Sequence, residues 1–169
     1  MRRIPIFFVL FILFGACTSQ FPITDIDEEN WSKRAVDLPD TDSLIYGQSY
    51  LSVYSQMYSF TQKKKYNLTG MISIRNVSES DTIYLTRADY YDTSGERIRT
   101  YFDYPIFVKP METLEIVIAQ DDIEGGTGSN FLFDWSIPLN CSEPLFEGVM
   151  NSMQGKQGVS FTTQGRKIE

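Results

Sequence analysis

From Leu44 onward the chain repeats one device: apolar side chains at every second position, in short runs closed by turn residues. Alternation of period two places one face of an extended strand against a core and the other in solvent. Thr113 to Ala119 sets Leu114, Ile116 and Ile118 inward, and Asn130 to Ile137 sets Phe131, Phe133 and Trp135 against Leu132 and Asp134. Strands Thr82–Asp92 and Arg97–Tyr104 meet through Asp92-Thr93-Ser94-Gly95-Glu96, where Asp92, Ser94 and Gly95 favour a hairpin turn. Val108-Lys109-Pro110-Met111 forms a further turn, and strands near Leu145–Met153 and Val159–Thr163 finish the chain. Tyr66 to Val77 reads as a half-buried strand carrying Leu68, Gly70, Ile72 and Ile74, entered from a solvated turn at Lys63-Lys64-Lys65. Seven or eight such strands without a long helix predict an all-β fold, a two-sheet antiparallel sandwich in preference to a barrel.

Ile45 to Phe60 reads as a single strand. Tyr46, Gln48, Tyr50, Ser52, Tyr54, Gln56 and Tyr58 fall on one side, with Leu51, Val53 and Met57 on the other. The tyrosines also stand four apart, as on a helix, but Gly47, the serines and the β-branched and aromatic residues favour a strand. Tyr50, Tyr54 and Tyr58 are therefore candidates for a sugar- or peptide-binding face, with half-buried packing as the plainer alternative.

Ahead of the domain stand Met1-Arg2-Arg3 and an unbroken apolar run from Ile4 to Phe14, the pattern of an export signal. A membrane-crossing helix needs about 20 apolar residues, and this run is too short. Gly15-Ala16-Cys17 then resembles the lipobox of bacterial lipoproteins, with Phe14 where leucine is usual. That resemblance implies cleavage after Ala16, lipid on Cys17 and a membrane as partner. Two or three acyl chains anchor a protein stably where one does not. Thr18 stands where an inner-membrane retention signal has Asp, which favours the outer membrane in a Gram-negative host. The expected organisation is a signal peptide at 1–16, a lipidated, acidic tether at 17–43 and a β-sandwich at 44–169. Trp31 is the exception in the tether, docking on the domain or meeting lipid head groups.

The chain carries 15 basic and 22 acidic residues, net −7, and loss of Arg2 and Arg3 with the signal takes it to −9. Such a surface repels nucleic acid. The absence of histidine excludes Ser-His-Asp and Cys-His hydrolases and histidine metal sites. With Cys17 acylated, Cys141 has no partner within the chain and is expected either buried or paired with another molecule.

Leu68-Thr69-Gly70-Met71-Ile72-Ser73-Ile74-Arg75-Asn76, Tyr90-Tyr91-Asp92-Thr93-Ser94-Gly95 and Pro110-Met111-Glu112-Thr113-Leu114-Glu115 resemble an immunoglobulin-like pattern. There a strand ends at Asn, a hairpin follows, and a Pro-led turn starts the next strand. With Val53-Tyr54-Ser55, the segment Gly125 to Phe131, Trp135, and Gln157 to Thr162, the chain is similar to an uncharacterised bacterial family, domain of unknown function three-one-two-four. The likeness spans about Tyr50 to Ile168. It departs at Ser52 and Gln56, where the family commonly has proline and histidine. The resemblance implies an exported or lipid-anchored envelope protein with no established activity.

Asp121, Asp122 and Glu124 precede Gly125, Gly126, Gly128 and Asn130. Acidic loops freed by glycine can wrap a hard cation, but this spacing is not the Asp-x-Asp-x-Asp-Gly calcium loop. The three acids are weak metal candidates, and the glycines with Asn130 are candidates for a ligand-facing rim. No cofactor is implied. The expected function is a non-enzymatic envelope module meeting a protein or a glycan. A calcium-stabilised binding domain and a hydrolase with paired carboxylates are the alternatives.

Overall fold

The computed structural model describes residues 29–39, 43–154 and 157–169. The expected signal peptide at 1–16, Cys17 and most of the expected tether lie outside the described residues. Twelve strands follow: β1 (Leu44–Val53), β2 (Gln56–Ser59), β3 (Thr61–Asn67), β4 (Thr69–Arg75), β5 (Ile83–Tyr91), β6 (Arg97–Phe102), β7 (Ile106–Val108), β8 (Thr113–Ile118), β9 (Ser129–Pro138), β10 (Leu145–Gln154), β11 (Gln157–Gln164) and β12 (Arg166–Lys167). One sheet runs β12-β1-β9-β5-β6, with β7 also on β5; the second runs β11-β10-β4-β8, and β2-β3 forms a separate ribbon. Neighbouring strands are antiparallel in all three sheets. The chain is the expected all-β sandwich, with twelve strands among the described residues where seven or eight were expected, because the runs at 45–60 and 66–77 divide and short strands β7 and β12 are added.

The alternating positions do meet in one core. Phe131, Phe133, Trp135 and Ile137 of β9 are buried with Ile72 and Ile74 of β4, Leu114, Ile116 and Ile118 of β8, and Phe146 and Met150 of β10. A column of rings crosses it. Tyr90 stacks on Phe131 at 4.7 Å, Phe131 on Phe133 at 5.4 Å, and Phe133 on Phe146 of the opposite sheet at 4.5 Å. Gly47 lies so close to the Trp135 indole that a Cβ there would overlap it, so glycine lets β1 pass over that ring.

Three expectations are corrected. Residues 45–60 are two strands, because Ser55 and Gln56 both donate their backbone N–H to the Gly126 carbonyl (3.1 and 2.9 Å) and bend the chain out of the sheet. Likewise 66–77 is divided at buried Leu68, whose N–H goes to Ser55 O (2.9 Å). Lys63, Lys64 and Lys65 are in β3 and not in a turn; the reversal falls at Phe60, in the left-handed region at φ 56°.

The tether reading also fails for its described part. Trp31 packs its ring 5.0 Å from Phe102, Val36 N–H bonds Pro105 O (3.0 Å), and Ala35 bridges to Ile106. Arg34 clamps the segment, pairing with Glu29 (2.6 Å) and Glu112 (2.9 Å). The acidic composition concealed this because one arginine with a distant partner does the holding.

Burial alone would raise the Glu112 carboxyl. Hydrogen bonds from Arg34 and the Lys109 backbone N–H, with the charges of Arg34 and Lys109, outweigh it and hold the group below its ordinary range. A depressed carboxyl stabilises the fold above its unfolded pKa and loses that contribution as pH falls through its folded one. We expect wild-type melting temperature to fall more steeply below about pH 4.3 than that of Glu112→Gln. Parallel acid profiles would contradict the clamp.

Candidate binding face on the six-stranded sheet

The outward side of the large sheet is where polar and aromatic groups gather. Tyr46, Gln48, Tyr50 and Ser52 alternate outward along β1, and Asn130, Leu132, Asp134 and Ser136 along β9, opposite the core residues of each strand. On β5 a bulge between Leu85 and Arg87 inserts Thr86 and resets the phase, so Tyr84, Arg87, Asp89 and Tyr91 share that side. Register then makes rows across the strands: Tyr46–Ser136–Tyr84, Gln48–Asp134–Arg87, Tyr50–Leu132–Asp89–Thr100 and Ser52–Asn130–Tyr91–Arg97.

These rows are wired together. Gln48 Nε2 donates to Asp134 Oδ1 (2.7 Å), and Arg87 Nε pairs with Asp134 Oδ2 (2.8 Å) and reaches Asp89 Oδ2 (3.6 Å). Thr100 Oγ1 donates to Asp89 Oδ1 (2.6 Å), and Arg97 Nη1 lies 3.4 Å from Oδ2. Asp89 is 0% exposed. A covered carboxylate is tolerated only when paired and hydrogen-bonded, and two arginines and a threonine supply that here. For Arg87, burial works to lower its pKa, but the close contact with Asp134 and the charges of Asp134 and Asp89 raise it above the usual guanidinium value. Ser136 Oγ, buried between Tyr46 and Tyr84 in the first of these rows, has no hydrogen-bond partner among the described residues.

A hollow of about 380 Å³ opens beside this network, between Tyr46, Gln48, Thr86, Asp134 and Glu169. Tyr46, which lines it, is 50% exposed, and Tyr50, further along the same side of β1, is 37% exposed. The face thus offers aromatic surface next to donors and acceptors already fixed in direction.

The sequence-derived candidates separate. Tyr50 and Asn130 are on this face. Tyr54 is spent on packing, edge-on to Phe161 at 5.7 Å, and Tyr58 belongs to the β2–β3 ribbon opposite Lys65. The supposed continuous tyrosine face does not exist, because the chain leaves the sheet after Val53. Gly125, Gly126 and Gly128 form a staple and not a rim. Ser55 N–H and Oγ–H and Gln56 N–H bond Gly126 O, Thr93 N–H and Oγ1–H bond Gly125 O, and Gly128 N–H bonds Thr93 Oγ1.

The acidic residues before the staple are engaged as well. Arg99 Nη2 pairs with Asp122 (2.9 Å) and Glu124 (3.1 Å), so a cation would have to displace a guanidinium. Burial opposes the charge of Arg99, and Tyr101 and Asp122 more than restore it, raising its pKa. Asp121 is exposed. Cys141 is free and half-buried, and burial pushes its thiol pKa up, away from the reactive thiolate. Sequence reasoning missed Arg87, Asp89 and Asp134. Their shared role depends on β5 lying beside β9, a pairing across a long stretch of chain.

The architecture defines a two-sheet antiparallel sandwich with a tyrosine-flanked polar outer face. More particularly, the chain belongs to the family described as Protein of unknown function (DUF3124), which matches residues 46–168. No curated protein matches it. Among solved structures, that of Thermotoga maritima 1070 is similar at 10% identity and a TM-score of 0.43, covering 71% of this chain and 92% of the other.

The staple gives a direct test. A Cβ on Gly125 would overlap the buried Tyr90 hydroxyl and stand 2.7 Å from Ser129 Oγ. Gly125→Ala should lower stability by about 1–3 kcal/mol in urea unfolding. Gly128→Ala, whose Cβ meets Thr93 Cγ2 at 3.5 Å and Oγ1 at 3.8 Å in ordinary van der Waals contact, should stay within about 0.5 kcal/mol of wild type. Equal effects would refute the staple.

Proposed function

We propose that the protein is a lipid-anchored module of the bacterial cell envelope, held by lipid on Cys17, which binds a glycan without catalysis. Anchoring is supported by the basic start, the apolar run and the Gly-Ala-Cys sequence. The observation that carries the binding reading is the exposed Tyr46 and Tyr50 beside the Gln48–Asp134–Arg87 row. Sugar rings present apolar C–H faces, which stack on aromatic rings, and paired hydroxyls, which meet planar amide, carboxylate and guanidinium groups. A few fixed polar groups beside aromatic surface is the usual composition of a small-ligand site.

The same network supports the non-enzymatic reading. Hydrolysis by paired carboxylates needs one acid free to give a proton and another free to attack or activate water. Asp134 is tied to Gln48 and Arg87, and Asp89 is covered and tied to Thr100, Arg87 and Arg97. Nucleic acid is a poor partner for a chain of net charge −7. With Thr18 after the cysteine, the outer membrane is the proposed site in a Gram-negative host.

The full chain should be retained on an array of bacterial envelope polysaccharides. Tyr46→Ala/Tyr50→Ala should weaken that retention about tenfold, from ~0.5–1.5 kcal/mol per aromatic contact. Absence of any retained glycan, or a double variant that binds like wild type, would refute the glycan face. Labelled palmitate should enter the wild type in cells and not Cys17→Ser; persistence in that variant would refute the anchor.

A further inference from the structure

We infer that the β2–β3 ribbon is a membrane-contact finger that meets anionic phospholipid head groups and sets Phe60 into the interface. The ribbon belongs to neither layer of the sandwich. At its tip Phe60 is 89% exposed and held at φ 56°, a conformation that bulky L-residues rarely adopt. Glycine or asparagine would relax such a turn, so the presence of an aromatic ring calls for a use.

The flanks of the tip share one chemistry. Lys63, Lys64 and Lys65 are all exposed, and residues 56–67 contain no acid, on a chain whose net charge is −7. Lys64 Nζ lies 5.9 Å from the Phe60 ring centre and 5.6 Å from that of Tyr66, while Lys65 Nζ lies 5.4 Å from that of Tyr58. Tyr58 is itself 53% exposed and stands opposite Lys65 in register. Both sides of the ribbon therefore carry a lysine beside an aromatic ring, behind an apolar tip.

Aromatic residues prefer the head-group level of a bilayer, and lysines near an anionic surface add attraction that the acidic remainder of the chain opposes. Charge complementarity thus selects the ribbon as the part of this domain that approaches an anionic membrane. The inference is independent of the glycan face, which lies on the large sheet.

The test uses the full chain reconstituted into vesicles of brominated phosphatidylcholine, with or without brominated phosphatidylglycerol. Phe60→Trp is compared with the parent to subtract Trp31 and Trp135. The added indole emission should be quenched in the phosphatidylglycerol vesicles. That quenching should be lost with Lys63→Gln/Lys64→Gln/Lys65→Gln, or in about 1 M salt, where the screening length is roughly 3 Å. No quenching on phosphatidylglycerol, or equal quenching without the lysines, would overturn the inference. A blue shift without vesicles that grows with protein concentration would overturn it too, assigning the tip to a second copy of the chain.

Discussion

Strand β9 is the element on which the two layers and the candidate site depend. All ten of its residues pair with β1, and its other edge pairs with β5 from Asn130 to Ser136. Inward, Phe131 and Phe133 form the middle of a ring column running from Tyr90 to Phe146, and so join one sheet to the other. Large aromatic side chains each bury about 150–250 Å² and dominate the energetics of a core. Outward, the same strand presents Asp134 between Gln48 and Arg87. The buried side therefore fixes the geometry of the exposed side, with no loop between them.

That coupling bears on the kind of chemistry the face can perform. Asp134 and Asp89 are paired with arginines and accept hydrogen bonds from Gln48 and Thr100, so the polar groups beside Tyr50 are fixed in direction. The loops do supporting work. The glycine-rich segment stitches the β1–β2 corner to the β5–β6 hairpin through the Gly125 and Gly126 carbonyls. The Arg34–Glu112 pair holds the N-terminal segment against β6 and β7, so the described domain begins before the first strand.

What was legible in the sequence was local. The alternation of Phe131, Phe133 and Trp135, that of Leu114, Ile116 and Ile118, and the Asp92–Glu96 turn each arise from neighbours in the chain, and each forms as read. The bend at Ser55 was not legible, because its cause is a carbonyl at Gly126 while the alternation of side chains runs on past it. The same holds for Asp89, whose place on the outward side depends on the bulge between Leu85 and Arg87, and which is covered because Arg87, Arg97 and Thr100 gather around it. Tyr50 and Asn130, candidates from the sequence, lie on the outward face of the large sheet; that Arg87, Asp89 and Asp134 share the face was not legible, since strand order is set by packing at long range.

Native-state hydrogen exchange addresses the central role of β9 most directly. Backbone amides of Phe131, Phe133 and Trp135 should exchange only through global unfolding, with a protection free energy equal to that from urea denaturation. Phe133→Ala should lower protection in both sheets together, by about 3–5 kcal/mol. Exchange of β9 at lower free energy than β4 and β10, or a loss confined to the six-stranded sheet, would contradict the account.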